Sequence, residues 1–519
     1  MTWFDRLSLL GVTLVAAFLR LPGIDARGRF DADQGHDMLT LVAFTRDGIV
    51  PLLGPKTSVG EFHHGAFYYF LLAPAAGLSN GDPVAVTAFL ALLGIGAVAL
   101  TWWLGRAMGG PVAGVVAGAL LAVSPAAIEE STFIWNPNPI GFFAALSLAA
   151  AWKARSGGSP GWWAIAIGAA GAVVQLHVLG VVFLLPMLVL GLLDVRRDRA
   201  VAAALLGGVG LIALLFAPLL AFEIQNGFLE TRRVLAYLSG GDDPSTGGPI
   251  LALAFTLLRV VGWPLVGLVT DVLAVAAILL AVTVGLAVLG LRVARGLEAV
   301  AMRWLVGILA WSTLALAFAA PSLQRVVTGL PNDHYHAFLD SVVVLLIAIP
   351  TGHLFSRASL AWRESRRPTA LAAAVVIGVA IVALEVVALN RRPPKVDPDG
   401  GWPAMRAAGE RIVDVANGAP VVLLGLPTFK LADGVGYPIE LAGGSIVELA
   451  DVPIGAEVVV VACDRLFESA IGNGCGGAAE DALIEALIGS RTEGSPTPRL
   501  IDRFDVYPGG RTSISIYGP

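Results

Sequence analysis

Four ionisable side chains lie within seven residues just after the first hydrophobic segment of the chain: Asp31, Asp33, His36 and Asp37. Carboxylates and an imidazole at this spacing can take up a proton, bind a cation or hydrogen-bond a polar substrate. Such groups are costly to hold together next to apolar segments unless they have a role of this kind. The structural alternative is that Asp31 or Asp33 caps a helix running to about Thr45, because acidic residues favour helix N-termini.

A second polar group, Glu61, His63 and His64, precedes a short aromatic run that contains Tyr68. Imidazole and carboxylate are ordinary ligands of divalent metals, so a divalent metal is possible here. Adjacent histidines rarely share one tetrahedral ion. This favours hydrogen bonding of these side chains to a polar ligand.

Further polar residues have weaker signals. Asn136 and Asn138 alternate with prolines, and the pattern is equally consistent with hydrogen bonds to a ligand and with a turn. His177, His334 and His336 are interpreted as structural histidines.

The composition places these residues in a membrane protein. Of 519 residues, 56% are hydrophobic and only 14% are charged, and the mean hydropathy is +0.78. Soluble globular chains do not have this composition. The net charge of −5 and the scattered arginines exclude nucleic-acid binding, which needs a concentrated basic face. The scarcity of lysine beside abundant arginine, alanine and glycine indicates a high-GC bacterial genome.

Hydropathy predicts about eleven transmembrane helices, since each must cross roughly 30 Å of hydrocarbon with about 20 residues. Their predicted cores are residues 7–21, 84–104, 112–127, 140–152, 162–176, 178–193, 201–222, 272–291, 304–320, 338–354 and 370–389. Gln175 and His177 mark the break between the fifth and the sixth.

The arginines set the predicted orientation. With a cytoplasmic N-terminus, every basic cluster between helices falls inside, as the positive-inside rule requires. That arrangement requires the apolar stretches 65–78 and 250–268 to lie at the interface rather than to span. The polar groups described above then share the outer face of a bacterial plasma membrane, together with the C-terminal end of the chain.

The composition changes abruptly after the last hydrophobic segment, which predicts a membrane domain over residues 1–392 and an extracytoplasmic domain over 393–519. Apolar runs at 421–424 and 458–461 indicate strands, and 404–415 and 478–488 indicate helices, so a small α/β unit is expected. Cys463 and Cys475 favour a disulfide in an oxidising compartment. Two free buried thiols are the alternative.

Taken together, an Asp in the first outer loop, an amphipathic helix behind it, and a His-containing turn before a Tyr-Tyr helix resemble the GT-C membrane glycosyltransferases. The branch is the glycosyltransferase family 39-like one, which contains protein O-mannosyltransferases and bacterial aminoarabinose transferases. The resemblance covers residues 1 to 240. The family's Asp-Glu pair matches Asp33-Gln34, with Gln in place of the more common Glu, and His36 stands where members often carry an Arg near the lipid phosphate.

The resemblance implies transfer of a sugar from a polyprenyl-phosphate donor to a hydroxyl of a glycan, lipid or protein acceptor, with inversion. Asp33 is the implied general base, and Asp31 lies close enough to compete for that role. The departing phosphate needs cations. Candidate substrate-binding residues on the outer face are Asp31, His36, Asp37, Lys56, His63, His64, Tyr68, Asn136, Asn138, Arg232 and Arg325.

Two other classes of function remain open on the sequence alone. A lipid or solute transporter would use the acidic cluster to couple protons, although repeated halves and charged midplane helices are not evident. A catalytically silent subunit would use its C-terminal domain to recruit a partner. Polar residues gathered on one face favour the enzyme.

Overall fold

A computed structural model describes residues 1–57, 61–239, 248–267, 273–320, 323, 333–365, 368–428, 432–448, 457–489 and 498–518. Arg325 lies outside these residues. Within them, the region before residue 391 is almost entirely helical. Its helices are α1 (Trp3–Arg20), α2 (Ile24–Arg27), α3 (Ala32–Asp47), α4 (Phe67–Leu78), α5 (Pro83–Gly109), α6 (Pro111–Val123), α7 (Pro125–Glu129), α8 (Ile140–Arg155), α9 (Trp162–Leu176), α10 (Val181–Val195), α11 (Ala200–Gln225), α12 (Leu229–Ser239), α13 (Gly248–Val266), α14 (Leu273–Val293), α15 (Gly296–Ala319), α16 (Asp340–Ser365) and α17 (Pro368–Asn390).

All eleven segments predicted from hydropathy are helical, and the chain is a multi-pass membrane protein. In the described part of the chain, eight helical segments are long and apolar enough to cross a membrane, while α4, α6 and α9 are shorter apolar helices. The break predicted near His177 is present, because the backbone there is extended between α9 and a 3-10 turn leading into α10.

The stretch predicted to lie at the interface over residues 250–268 forms α13, which is itself long and apolar enough to cross. The C-terminal ends of α13 and α17 lie at the same end of the bundle. The Arg391 Nε, just after α17, donates to the Val266 carbonyl at the end of α13 at 2.8 Å. The arginine-based topology therefore stays a prediction.

A small domain with a four-stranded sheet follows α17. Its helices are α18 (Gly401–Ala416), α19 (Asp433–Leu441), α20 (Glu468–Ile471) and α21 (Ala478–Gly489), and its strands are β3 (Val421–Leu426), β4 (Val458–Asp464), β5 (Arg499–Asp505) and β6 (Thr512–Gly518). The sheet order is β3-β4-β6-β5, with β3 and β4 parallel and the other pairs antiparallel. Continuous apolar runs suit β3 and β4 because both of their faces are covered. A disulfide joins Cys463, in β4, to Cys475.

The C-terminal domain packs directly on the first loop of the membrane domain. Phe30 contacts Trp402 with a ring-centroid distance of 4.7 Å, and the Asp397 amide donates to the Ala26 carbonyl at 2.7 Å. Helix α19 lies against α3 so closely that a Cβ on Gly35 would overlap the Asp433 carbonyl. These contacts place residues from both ends of the sequence around the start of α3.

Candidate active site

Helix α3 begins with a reciprocal cap. The Asp31 carboxylate accepts from the Asp33 amide at 3.2 Å, and the Gln34 side-chain oxygen accepts from the Asp31 amide at 3.0 Å. Such a capping box satisfies amides that have no partner within the helix. The Gln34 nitrogen also donates to the Ile134 carbonyl at 2.8 Å. An ionised Glu at this position has no N–H to donate. Gln34 can therefore make the hydrogen bond that connects α3 to the loop after α7, and Glu could not.

Asp33 and His36 are both exposed, three residues apart on α3. The His36 Nδ1 lies 2.8 Å from the Asp433 Oδ2, in α19 of the C-terminal domain. The Asp433 carboxylate raises the pKa of His36, with smaller contributions from Asp37 and Asp33. A histidine with a raised pKa carries positive charge over more of the neutral pH range.

Asp37 and Tyr68 lie inside the protein, although the sequence predicted them to contact substrate. The phenols of Tyr68 and Tyr69 donate to the two Asp37 oxygens at 3.0 and 2.8 Å. Burial raises the pKa of Asp37 to about 7. These two hydrogen bonds join α3 to α4. The Asp37 carboxylate faces the core because α4 covers this part of α3.

The second polar group is organised by an acidic residue from α12. The Glu230 carboxylate accepts from the His63 amide at 2.7 Å, lies 3.2 Å from the His63 Nδ1, and accepts from Arg233 at 2.7 Å. Lys56 pairs with Glu61 at the exposed side of the same loop. The short strands β1 (Leu53–Lys56) and β2 (His63–Gly65) are antiparallel, and their pairing places Lys56 opposite His63.

His64 points away from His63 into a cluster of rings. Its ring centroid lies 5.1 Å from that of His177, which in turn lies 4.7 Å from Tyr335 and 5.6 Å from His334. Burial lowers the pKa of His64 to about 4, so this imidazole is neutral. Its buried Nδ1 has no hydrogen-bond partner among the described residues.

Asn136 and Asn138 hydrogen-bond the backbone instead of facing a ligand. The Asn136 amide donates to the Leu176 carbonyl at 2.7 Å, and the Asn138 amide donates to the Phe133 carbonyl at 2.6 Å. These two hydrogen bonds match the turn interpretation of this Asn-Pro segment, and the role of the two residues in binding a ligand stays a prediction. Arg232 is exposed on α12, and its neighbour Arg233, not Arg232, contacts Glu230.

The structure adds three ionisable residues that the sequence did not single out for this region: Glu230, Asp433 and Arg511. The Arg511 Nη2 lies 3.7 Å from the Asp31 carboxylate. Asp433 and Arg511 are several hundred residues from α3 in sequence, so no local spacing could have linked them. Within the described ranges, no three His, Cys, Asp or Glu side chains are grouped as a metal site would require.

Comparison with known proteins finds a family match over about a third of the chain. Residues 51–223 match the family described as dolichyl-phosphate-mannose-protein mannosyltransferase. No curated protein matches the sequence.

The fold of nearly the whole chain is similar to that of ArnT from Cupriavidus metallidurans. The TM-score is 0.56 against ArnT bound to undecaprenyl phosphate and 0.55 against the apo state, at 13% and 12% identity, and both cover 98% of this chain and 97% of that chain. The apo oligosaccharyltransferase from Archaeoglobus fulgidus has a TM-score of 0.51 at 13% identity, covering 90% of this chain and 71% of that chain. The resemblance found in the sequence is thus confirmed: residues 51–223 match this glycosyltransferase family, and the chain has the fold of these GT-C membrane glycosyltransferases.

Proposed function

We propose that the chain transfers a sugar from a polyprenyl-phosphate carrier to an acceptor hydroxyl at the outer face of a bacterial plasma membrane, with Asp33 as general base. The observation that carries the assignment of the base is the different use of the three carboxylates on α3. Asp31 caps the helix, Asp37 is buried between two tyrosines, and Asp33 alone of the three is exposed. The undecaprenyl phosphate bound by the similar ArnT supports the class of donor.

In the proposed step, the Asp33 carboxylate takes the proton of the acceptor hydroxyl while that oxygen attacks the anomeric carbon. The bond between this carbon and the phosphate oxygen breaks, and the lipid phosphate leaves with the electron pair. One base and one displacement invert the anomeric carbon. Phosphate is a good leaving group, so the protein needs cations rather than a general acid on that side.

His36 is the cation we assign to the departing phosphate, because it shares the exposed side of α3 with Asp33 and is paired with Asp433. Lys56 is a second candidate, on the strand that precedes the His63 loop. Charge-assisted hydrogen bonds to phosphate oxygens are shorter and stronger than neutral ones. The position of Arg232, exposed on α12, is consistent with a further contact to lipid phosphate.

Asp33→Asn tests the base, because it keeps the size of the side chain and removes its basicity. We expect the rate of transfer to fall by roughly 10²- to 10⁴-fold, the usual contribution of a general base. The variant should insert into the membrane and elute in size-exclusion chromatography as the native protein does. Asp31→Asn is the matched control. It should retain most of the activity and change the stability little, because Asn caps a helix about as well as Asp.

The donor should come from lipids that accumulate in a deletion strain. We expect a polyprenyl-phosphate sugar, which the purified protein then consumes in the assay. An active Asp33→Asn together with an inactive Asp31→Asn would move the base to Asp31. Activity in both would show that neither carboxylate is the general base.

A further inference from the structure

A groove of about 830 Å³ lies between α1 and the C-terminal end of α17, away from the exposed side of α3. Its walls are mainly apolar, with Leu14, Val15, Phe18 and Leu19 on α1 facing Val123 and Leu389, while Asn390 adds a polar group near the end of α17. Phe18 is 71% exposed and Leu14 is 59% exposed, so the wall faces whatever surrounds the bundle. In a membrane, that surrounding is lipid.

The chain after α17 closes one end of this groove with cations. Arg392 and Lys395 line it on either side of the Pro393-Pro394 pair. Arg27 lies near Arg392 and is 7% exposed; its Nη1 donates to the Leu19 carbonyl, while its buried Nε has no partner. Among the described residues, none of these three cations forms an ion pair with a carboxylate.

Arg27 and Arg392 lie close enough to repel each other, and the groove ends in two cations, Arg392 and Lys395, that no carboxylate among the described residues neutralises. We propose that this groove binds one anionic phospholipid, with an acyl chain along α1 and α17 and its phosphate between Arg392 and Lys395. Phosphate is an acceptor that Arg and Lys bind well, and anionic lipids attract basic residues placed next to a transmembrane helix. A single phospholipid can fill both parts of the groove, with its acyl chain against the apolar walls and its phosphate against the two cations.

The lipid would bridge the two ends of the membrane domain. Its tail contacts both the first and the last membrane helix, and its headgroup contacts the segment that enters the C-terminal domain. That segment is anchored by the Arg391 contact to Val266 and by the Asp397 contact to Ala26. Neutralising Arg392 and Lys395 therefore stabilises the connection that holds α19 against α3.

Native mass spectrometry of the full-length protein released from nanodiscs of phosphatidylcholine and phosphatidylglycerol tests the proposal. We expect one tightly retained phosphatidylglycerol. Arg392→Gln with Lys395→Gln should weaken its retention by roughly 25-fold, since each cation near an anionic headgroup contributes about a factor of five. The control is Arg196→Gln with Arg197→Gln, two exposed arginines after α10, which makes the same change in net charge and should leave retention unchanged.

Val15→Trp is a second variant that fills the groove without changing any charge. It should also abolish retention of the lipid, with unchanged elution of the protein. Equal losses of retention in the Arg392/Lys395 and the Arg196/Arg197 double variants would show general surface attraction and overturn the proposal, as would full retention in Val15→Trp. Added inorganic phosphate should not displace the lipid. Displacement by polyprenyl phosphate in preference to phosphatidylglycerol would also overturn the proposal, because the groove would then be a site for the sugar carrier.

Discussion

Asp37 shows how a neighbouring helix changes the chemistry of a carboxyl group. Its pKa is raised to about 7 from an ordinary value of 3.8, chiefly by burial. The folded protein therefore holds a proton on Asp37 that the unfolded chain has already released between these two values. Stability must fall as the pH rises through that window, because the folded state binds the additional proton.

Asp37→Asn should remove this dependence on pH, since an amide does not ionise. We expect the variant to be less stable than the native protein at about pH 5 and to recover relative to it at about pH 8, where the native carboxylate is charged. Thermal unfolding in detergent across this range measures the difference. Asp47→Asn, at the exposed end of α3, is the control. Parallel curves for the native protein and Asp37→Asn would contradict the raised pKa.

The residue types alone predicted that ionisable side chains on α3 have a functional role. They did not predict which of the carboxylates is exposed to solvent. Asp33 and Asp37 are one helical turn apart and should share a face of an isolated helix. Asp33 is exposed and Asp37 is buried because α4 covers only the later turn. The difference depends on how far a neighbouring helix extends, which no pattern within residues 31–37 contains.

At the scale of elements, the contact between α3 and α19 controls the charge of His36. Asp433→Asn keeps the shape of the contact and removes the carboxylate that contributes most to the raised pKa. The His36 pKa should then return toward 6.5, and the imidazolium should be lost at a lower pH. If His36 serves the departing phosphate, the alkaline limb of the pH–rate profile shifts to lower pH.

The matched control for that experiment is Asp505→Asn, which breaks an ion pair with Arg465 in the C-terminal domain. It should leave the profile unchanged. An unaltered profile in Asp433→Asn would show that this contact is only structural. The paired stability effect also has a definite sign: the His36–Asp433 interaction is fully present below about pH 6.5 and is lost as the pH rises through the raised value.

Gly35→Ala tests the packing of the same two helices. In an open helix, Ala is more favourable than Gly by about 0.5–1 kcal/mol, so a stabilised variant would be expected from propensity alone. Here the new Cβ meets the Asp433 backbone, and we expect a lower unfolding temperature and faster proteolysis between α17 and α18. Gly307→Ala in α15 has open space and should not be destabilised. Unchanged proteolysis in Gly35→Ala would mean that α19 does not rest on α3.

Hydropathy located the membrane helices because the bilayer requires long apolar segments, and continuous apolar runs located β3 and β4 of the C-terminal domain. The sequence pattern also located α18 and α21. The prediction missed α20 and β6. It also missed α19, which is short and contains Pro438, and β5, whose edge position tolerates charged residues such as Asp502 and Arg503. Both lie where tertiary contacts decide the conformation. α19 also supplies Asp433, which pairs with His36 in the candidate site. The sequence therefore failed to predict this part of the site for the same reason that it failed to predict the helix.

At the scale of the whole molecule, the orientation of the bundle is directly measurable. The native cysteines form a disulfide and do not compete for thiol reagents. Ala407→Cys, on the exposed side of α18, should react with an impermeant thiol reagent in intact cells, and Arg197→Cys should react only after lysis. Labelling of Arg197→Cys alone in intact cells would invert the topology and place α3 in the cytoplasm.

The contact between His36 and Asp433 joins positions 397 residues apart. A chain made from its N-terminus at roughly 5–20 residues per second exposes α3 for about 20–80 s before α19 exists. During that interval His36 lacks the carboxylate that keeps it charged, and the apolar surface of Phe30 is uncovered. Biosynthesis therefore yields an inserted bundle first and a competent one only afterwards. Under the proposed function, a nascent or prematurely terminated chain is therefore inactive, and transfer begins only when α19 has docked on α3.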